Sequence, residues 1–308
     1  MAPSALCAVT VDLDEIPNYY AIHGLPEPAG PARTLVYDVA VDRLTRLARH
    51  LDVPLTLFAI GSDLARPEAA ARLRAAHEAG AEIANHSLDH RYDLTRLGRA
   101  EIHRQVHEGA RAIERAVGTA PVGFRAPGYT ITDEVFEVLT DLGVAYDSSV
   151  FPCPPYWTAK AAALSLMALR GRKSRSILDR PTVLASPTTP YRVGRPYWRR
   201  GRGLLEMPVT VTRWARLPAL GTYLTLFGSG VARRLARACA GQPLVNVELH
   251  GIDVLDAADG LEDLRPHQPD VRVPREDKLG ALRATVDELR NLGHEFVTLQ
   301  EAARRLGV

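Results

Sequence analysis

The chain has 308 residues, of which 46% are hydrophobic and 24% charged, the composition of an ordinary globular protein with ample length for a core. Its formal charge is +2, which excludes a molecule built as a whole to hold nucleic acid. No apolar run approaches the ~20 residues that span a bilayer.

The elements follow in order. Residues 6–11 form a short apolar, β-branched run and end in Asp12-Leu13-Asp14-Glu15, so a buried strand delivers acidic groups at its C-terminal end. A loop is expected through Gly24, Pro26, Pro28, Gly30 and Pro31. Helical spacing covers 39–50, a strand 54–60, and a helix 67–79 that opens on Pro67 and stops at Gly80. Residues 81–84 read as a third strand delivering Asn85-His86-Ser87-Leu88-Asp89-His90. A long amphipathic helix covers 99–117, a fourth strand 121–124 delivers Arg125, a helix covers 133–142, and a fifth strand 144–146 delivers Asp147.

Residues 151–203 break this rhythm. They are rich in Pro, Arg and Trp, with an amphipathic helix over 157–170, then Arg170, Arg172, Lys173 and Arg175, then the cluster 197–202. They read as an insertion packed on the core domain. Residues 157–202 also suit contact with an anionic membrane or a phosphate-bearing, lipid-linked substrate. The rhythm resumes with a strand at 204–212, a helix at 231–240 and a strand at 244–249 that delivers His250. A polar excursion covers 253–274. A helix at 275–291, a strand at 296–297 and a helix at 300–305 close the chain.

Strand, polar cluster and helix in alternation imply a parallel sheet with crossover helices. Seven or eight strands favour a closed or nearly closed β/α barrel over an open sheet, in a single domain covering 1–308. No internal repeat or low-complexity segment interrupts it.

In a barrel, strand ends converge on one face. Asp12, Asp14, His86, His90, Arg125, Asp147 and His250 would then meet. His86 and His90, four apart, share a face if the chain turns helically after His86. Two histidines and a carboxylate suit a divalent metal with an open position for water, whose pKa the metal lowers towards ~7. Asp12 and His250 are natural choices for base and acid. Arg125 can pair with Asp12 and keep it ionised. Plainer roles exist for each. Asp12 also suits a turn cap, leaving Asp14 or Glu15 as the active carboxylate; His250 suits the core, Arg125 a loop bridge, and Asp147 a cap before Ser148-Ser149. His103 and His107 are also four apart, but they lie on a polar-faced helix with no carboxylate at a strand end, so surface positions are expected for them and for His23.

The series Thr10-Val-Asp12-Leu-Asp14, His86-Ser-Leu-Asp-His90, Arg125-Ala-Pro-Gly-Tyr129, Asp147-Ser-Ser and Leu249-His250 resembles, in order, the motifs of NodB-type polysaccharide deacetylases, carbohydrate esterase family four. The resemblance spans residues 10–250. It implies a distorted (β/α) barrel of about seven parallel strands and hydrolysis of acyl groups on sugars. It implies one divalent metal held by Asp14, His86 and His90, with Asp12 as base and His250 as acid. Zinc is the first choice, and cobalt, nickel, manganese and iron suit the same donors. The resemblance also implies a backbone N–H near Gly128 that holds the oxyanion, and it places Gly128, Tyr129 and Asp147 at the oxyanion or substrate. Leu13 splits the first acidic pair, as in branches similar to peptidoglycan deacetylases and lipid-linked aminoarabinose deformylases. On a strand, Asp12 and Asp14 still face one side. Val150-Phe151 stand where the family has an Asp-Trp pair, so the partner of His250 falls to Asp147 or Asp253.

The expected activity is removal of an acetyl or formyl group from an amino sugar, lipid-linked or nucleotide-linked. The alternatives are an allantoinase-like hydrolase of a non-sugar C–N bond and a catalytically inactive carbohydrate-binding barrel. The N-terminus shows no secretory pattern. Cys7, Cys153 and Cys239 read as reduced thiols. Both favour the cytoplasm, with peripheral contact at the inner membrane face.

Overall fold

A computed structural model describes residues 5–307. Nine strands form one curled sheet: β1 (Leu6–Asp12), β2 (Leu55–Ala59), β3 (Glu82–Asn85), β4 (Gly123–Phe124), β5 (Tyr146–Asp147), β6 (Tyr191–Val193), β7 (Arg200–Glu206), β8 (Leu244–His250) and β9 (Glu295–Phe296). Their order is β6-β7-β5-β4-β3-β2-β1-β8, with β9 added beside β1. Every pairing is parallel except β6 with β7. The helices are α1 (Ile16–Ile22), α2 (Val41–Leu51), α3 (Pro67–Glu78), α4 (Arg99–Val117), α5 (Asp133–Asp141), α6 (Pro154–Leu169), α7 (Gly221–Leu226), α8 (Gly228–Ala238), α9 (Arg275–Asn291) and α10 (Leu299–Leu306).

The alternating pattern explains the arrangement. The strands bury both faces, as β1 and β2 do along their whole length, because helices cover one side of a parallel sheet and side chains fill the other. Leu44, Leu73 and Ile113, from α2, α3 and α4, pack with Val9, Val11, Leu57 and Ile83 of the strands. A second core joins Ile102, Val135 and Leu139 to Val183, Tyr191 and Tyr197, so the segment expected as an insertion is built into the barrel wall.

The barrel is distorted because β7 and β8 do not pair. Residues 207–212 occupy the gap instead. Met207 N–H donates to Asp147 O at 2.8 Å and Val209 N–H to Val150 O at 3.0 Å, while Thr210 N–H donates to Asn246 O at 3.2 Å across the seam. The Asn246 amide NH2 donates to Ser148 Oγ at 2.9 Å and to the carbonyls of Met207 and Pro208 at 3.3 Å. Its Oδ1 accepts from Thr10 at 3.1 Å. One buried amide therefore closes the ring where no ladder does.

Three expectations change. Residues 16–22 are helical rather than looped, since the Glu15 carboxylate accepts from Ile16 N–H at 3.3 Å and starts the turn. The strand expected at 204–212 is β7 at Arg200–Glu206, begun within the basic segment and paired with the unanticipated β6. The helix expected at 231–240 spans Gly228–Ala238 and is preceded by the short α7. Among the described residues, no helix is long and apolar enough to cross a membrane.

Asn246→Ala should cost about 3 kcal/mol of unfolding free energy in a denaturant titration, because it strands buried donors and acceptors on both sides of the seam.

Candidate metal and acid–base site

β1 and β8 pair with Asp12 beside His250 and Thr10 beside Glu248. Residues two apart on a strand share a face, so these four side chains enter the barrel mouth together. Just past β1, Asp14 turns the same way, while Leu13 between the acids is fully buried.

The histidines arrive by a different route from the one expected. No helix follows His86. Ser87 and His90 hold left-handed backbone, with φ of 70° and 49°. This is a costly conformation that persists where surroundings dictate it. Asn85 Oδ1 accepts from Ser87 N–H at 3.0 Å, Ser87 Oγ accepts from His90 N–H at 3.1 Å, and Gln105 of α4 accepts from Leu88 N–H and Asp89 N–H at 2.8 and 2.9 Å. α4 approaches so closely that a Cβ at Gly109 would stand 2.6 Å from Asn85 Oδ1.

His86 Nδ1 donates to Arg125 O at 2.8 Å, which leaves Nε2 as an acceptor. That Nε2 lies 3.3 Å from Asp14 Oδ1, and His90 Nε2 lies 3.1 Å from the same oxygen. Asp14 Oδ1 and both ring nitrogens of His90 are buried without a hydrogen-bond partner. Buried polar atoms without partners are costly, and here they converge: Asp14, His86 and His90 bring one donor atom each within 4.8 Å of one another. Two imidazoles and one carboxylate match a three-ligand zinc-type site with one position open. Burial would raise the Asp14 carboxyl, yet His90 and His86 outweigh it and hold it well below the usual range.

Arg125 is fully buried. Its Nη1 donates to Asp12 Oδ1 at 2.6 Å, Nε to Ser148 O at 2.9 Å, and Nη2 to Thr10 Oγ1 and Ser148 Oγ at 3.0 and 2.9 Å. Its guanidinium carbon lies 4.1 Å over the Phe58 ring. Asp12 Oδ2 stays 3.7 Å from His86 Nε2, facing the ligands. Glu15 is the acid that caps: its two oxygens accept from Ile16, Val36 and Tyr37.

The partner of His250 is Glu248, which sequence reading did not identify. Its Oε1 lies 3.0 Å from His250 Nδ1. Asp253 instead accepts from the His250 backbone N–H at 2.8 Å. Asp147 lies deeper: it accepts from Ser149 N–H and Oγ, and its neighbour is Glu206. It therefore supports the loop after β5 and does not face the site. Burial weighs against a charged His250, but Glu248, Asp14, Asp12 and Asp253 raise its pKa to about 9. Its side chain keeps 21% exposure, the open edge of the site.

Gly128 and Tyr129 form the turn after Arg125, both with positive φ. Tyr129 N–H is used by Ala126 O at 3.2 Å, and its ring lies edge-on to His250 at 6.4 Å. His103 and His107 are exposed on α4, as expected. His23 is half-buried and bonded to Gln268.

A metal titration tests the ligand trio. The chain should bind one zinc per molecule, and His86→Ala with His90→Ala should weaken binding by at least ~100-fold. Retained affinity would remove the trio as ligands.

Residues 32–146 match the family model described as polysaccharide deacetylase. A chitooligosaccharide deacetylase from Sinorhizobium fredii is 40% identical over 101 residues, 32% of this chain and 45% of that protein. A peptidoglycan deacetylase from Helicobacter pylori is 25% identical over 152 residues, 49% of this chain and 51% of that protein. The chain thus spans about half the length of the curated relatives it matches. Among solved structures, a candidate polysaccharide deacetylase from Mycobacterium smegmatis superposes with a TM-score of 0.63 at 20% identity, covering 99% of this chain and 91% of that one. A CE4 family pseudoenzyme from Bacillus anthracis gives 0.52 at 14%, covering 98% and 66%. At these identities the structures establish the fold: a curled, mostly parallel half-barrel. The chain thus shares the fold of these solved structures, and its residues 32–146 match the polysaccharide deacetylase family model.

Proposed function

We propose that the protein is a metal-dependent hydrolase that removes an acetyl or formyl group from the nitrogen of an amino sugar. The observation that carries this reading is the division of the barrel mouth: three ligand atoms in the middle, a buried Asp12–Arg125 pair on one side and a Glu248–His250 pair on the other.

A divalent cation held by Asp14, His86 and His90, zinc by preference, supplies Lewis acidity, lowering the pKa of water towards ~7 and polarising the acyl carbonyl. The chain supplies the proton transfers. Asp12 accepts the proton of the attacking water through Oδ2, since Oδ1 is held by Arg125 at 2.6 Å. A guanidinium does not deprotonate in proteins, so Arg125 is a fixed positive partner for the Asp12 carboxylate. The proposed donor to the oxyanion is the Gly128 backbone N–H. His250 then protonates the departing nitrogen through Nε2, because Nδ1 faces Glu248. Water and amide become a carboxylic acid and a free amine.

The matched relatives' names, a chitooligosaccharide and a peptidoglycan deacetylase, support an acylated amino sugar. The inactive-barrel reading requires a missing ligand, base or acid, and none is missing. The carrier is read from α6. None of its residues is buried, Leu166 and Leu169 are 47% and 85% exposed, and exposed Arg170, Arg172 and Lys173 follow. An apolar tip with a basic rim complements an anionic lipid surface. We infer a lipid-linked substrate met at the inner membrane face, with a nucleotide-linked sugar as the soluble counterpart. Three buried free cysteines fit a reducing compartment.

Mass spectrometry of N-acetyl and N-formyl amino sugars incubated with zinc-loaded protein should show loss of one acyl group. Asp12→Asn should lower kcat by at least ~100-fold. If every sugar stays intact and a cyclic ureide is opened, the non-sugar alternative holds. Activity should fall as pH rises and His250 loses its proton. Glu248→Gln removes a charge that raises the His250 pKa, so it should move this fall to lower pH. For the membrane, phosphatidylserine vesicles should retain the protein at low salt. Leu166→Glu with Leu169→Glu should cut retention about tenfold; unchanged retention would refute membrane contact through α6.

A further inference from the structure

The half of α6 nearest its N-terminus has a second role. Tyr156 and Lys160 stand four apart and so share a face of the helix. The Tyr156 ring lies 4.9 Å from Phe151 and 6.0 Å from Tyr129, whose ring meets His250. Lys160 Nζ donates to Gly128 O at 3.2 Å. Gly128 packs against Tyr92, where a Cβ would come within 2.9 Å of the ring, and the Tyr92 ring lies 4.7 Å from that of His90. Gly128 and Tyr92 thus stand between the Lys160 ammonium and the proposed ligand His90, and Tyr156 and Tyr129 stand between it and His250.

Its surroundings are unusual for a lysine. The residue is half-buried; among the described residues its one hydrogen bond goes to a neutral carbonyl, and its ammonium lies 5.7 Å from the centre of the Tyr156 ring. Asp179 is the carboxylate whose charge reaches it, yet the two make no ion-pair contact among the described residues. Asp179 Oδ2 is buried without any hydrogen-bond partner, while Oδ1 is used by Arg180 N–H at 2.7 Å. Burial lowers the Lys160 pKa to about 8 and raises that of Asp179 to about 7. A cation held partly out of water with no paired anion is destabilising. A prop for the Gly128 loop would need no charge, since a neutral donor could bond the same carbonyl. Among the described residues, the ammonium of Lys160 keeps N–H groups beyond the one that bonds Gly128 O.

We propose that Lys160 is a specificity residue that takes an anionic substituent, a phosphate or a carboxylate, carried by the amino sugar beside the amide that is cleaved. This rests on the deacylase reading above. Charge-assisted hydrogen bonds are the strong ones, and an ammonium serves either anion as a point charge. The proposal makes α6, through Lys160, part of the substrate site.

The test uses the full zinc-loaded chain and three N-acetylglucosamine compounds: the neutral trimer, the sugar bearing a phosphate at C1, and the sugar bearing a carboxyl ether at C3. Wild type should favour one anionic compound over the trimer in kcat/KM, mainly through KM. Lys160→Met should reduce that ratio about tenfold or more, and Lys160→Arg should keep most of it. The favoured compound distinguishes phosphate from carboxylate. A wild-type ratio near one, or a Lys160→Met variant that loses all three substrates by the same factor, would overturn the proposal and leave Lys160 a loop prop. If no compound is hydrolysed, the deacylase reading fails on its own. Calorimetry then decides the anion site: tighter binding of the anionic sugars by wild type than by Lys160→Met sustains it, and equal binding ends it. A thermal melt of each variant separates these outcomes from loss of fold.

Discussion

The buried guanidinium of Arg125 is the constraint on which the rest of the site depends. A fully buried charge is tolerable only when paired and hydrogen-bonded. Arg125 meets that demand with Asp12, Thr10 and Ser148, drawn from β1 and the end of β5, and with the face of Phe58 from β2. Its backbone takes part as well: Arg125 N–H donates to Asn85 O at 3.0 Å, and Arg125 O accepts from His86 Nδ1. One residue therefore orients the proposed base and sets the tautomer of a proposed metal ligand. Removing the side chain would leave the Asp12 carboxylate buried without its charged partner.

The acid side has a parallel logic, set by strand pairing. Asn246, Glu248 and His250 alternate along β8, so all three face inward. Asn246 holds the seam, Glu248 meets the imidazole of His250, and His250 stands at the mouth. Their neighbours across the ladder are Ala8, Thr10 and Asp12. The pairing register of β1 and β8 thus places Asp12 and His250, the proposed base and acid, side by side, and a slip of one residue would turn both pairs out of the site.

This pattern also marks what could be read from the sequence. The strands, their order along the chain and the identities of Asp12, Asp14, His86, His90, Arg125 and His250 follow from apolar runs that end in polar residues. Glu248 was hidden because 244–249 reads as a continuous apolar strand, although the polar alternation Asn246-Glu248-His250 was visible within it. The turn that joins His86 to His90 could not be inferred from spacing. It is set by Gln105 and by the close approach at Gly109, nearly twenty residues further along the chain. β7 was displaced because its first residues, Arg200-Gly-Arg202, are basic and exposed and run beyond the short pairing with β5, so they carry no apolar signature.

The charges inside the barrel leave one site unbalanced. Asp12 is met by Arg125, and Glu248 by His250. Asp147 and Glu206 lie together deeper in the barrel, where burial raises both. Asp14 differs. Its neighbours are two imidazoles, which are neutral when they act as ligands, and its Oδ1 has no hydrogen-bond partner. Among the described residues, Asp14, at the centre of the proposed ligand trio, has no lysine or arginine paired with it. Protons and a divalent cation compete for those donors. Burial and the neighbouring carboxylates pull in opposite directions on His86, with Asp12 and Asp14 prevailing and raising its pKa. Cation binding must displace that proton. The same carboxylates that make the pocket attractive to a cation also set the pH below which it is lost, so the acid–base pairs on either side and the ligands between them form one electrostatic unit.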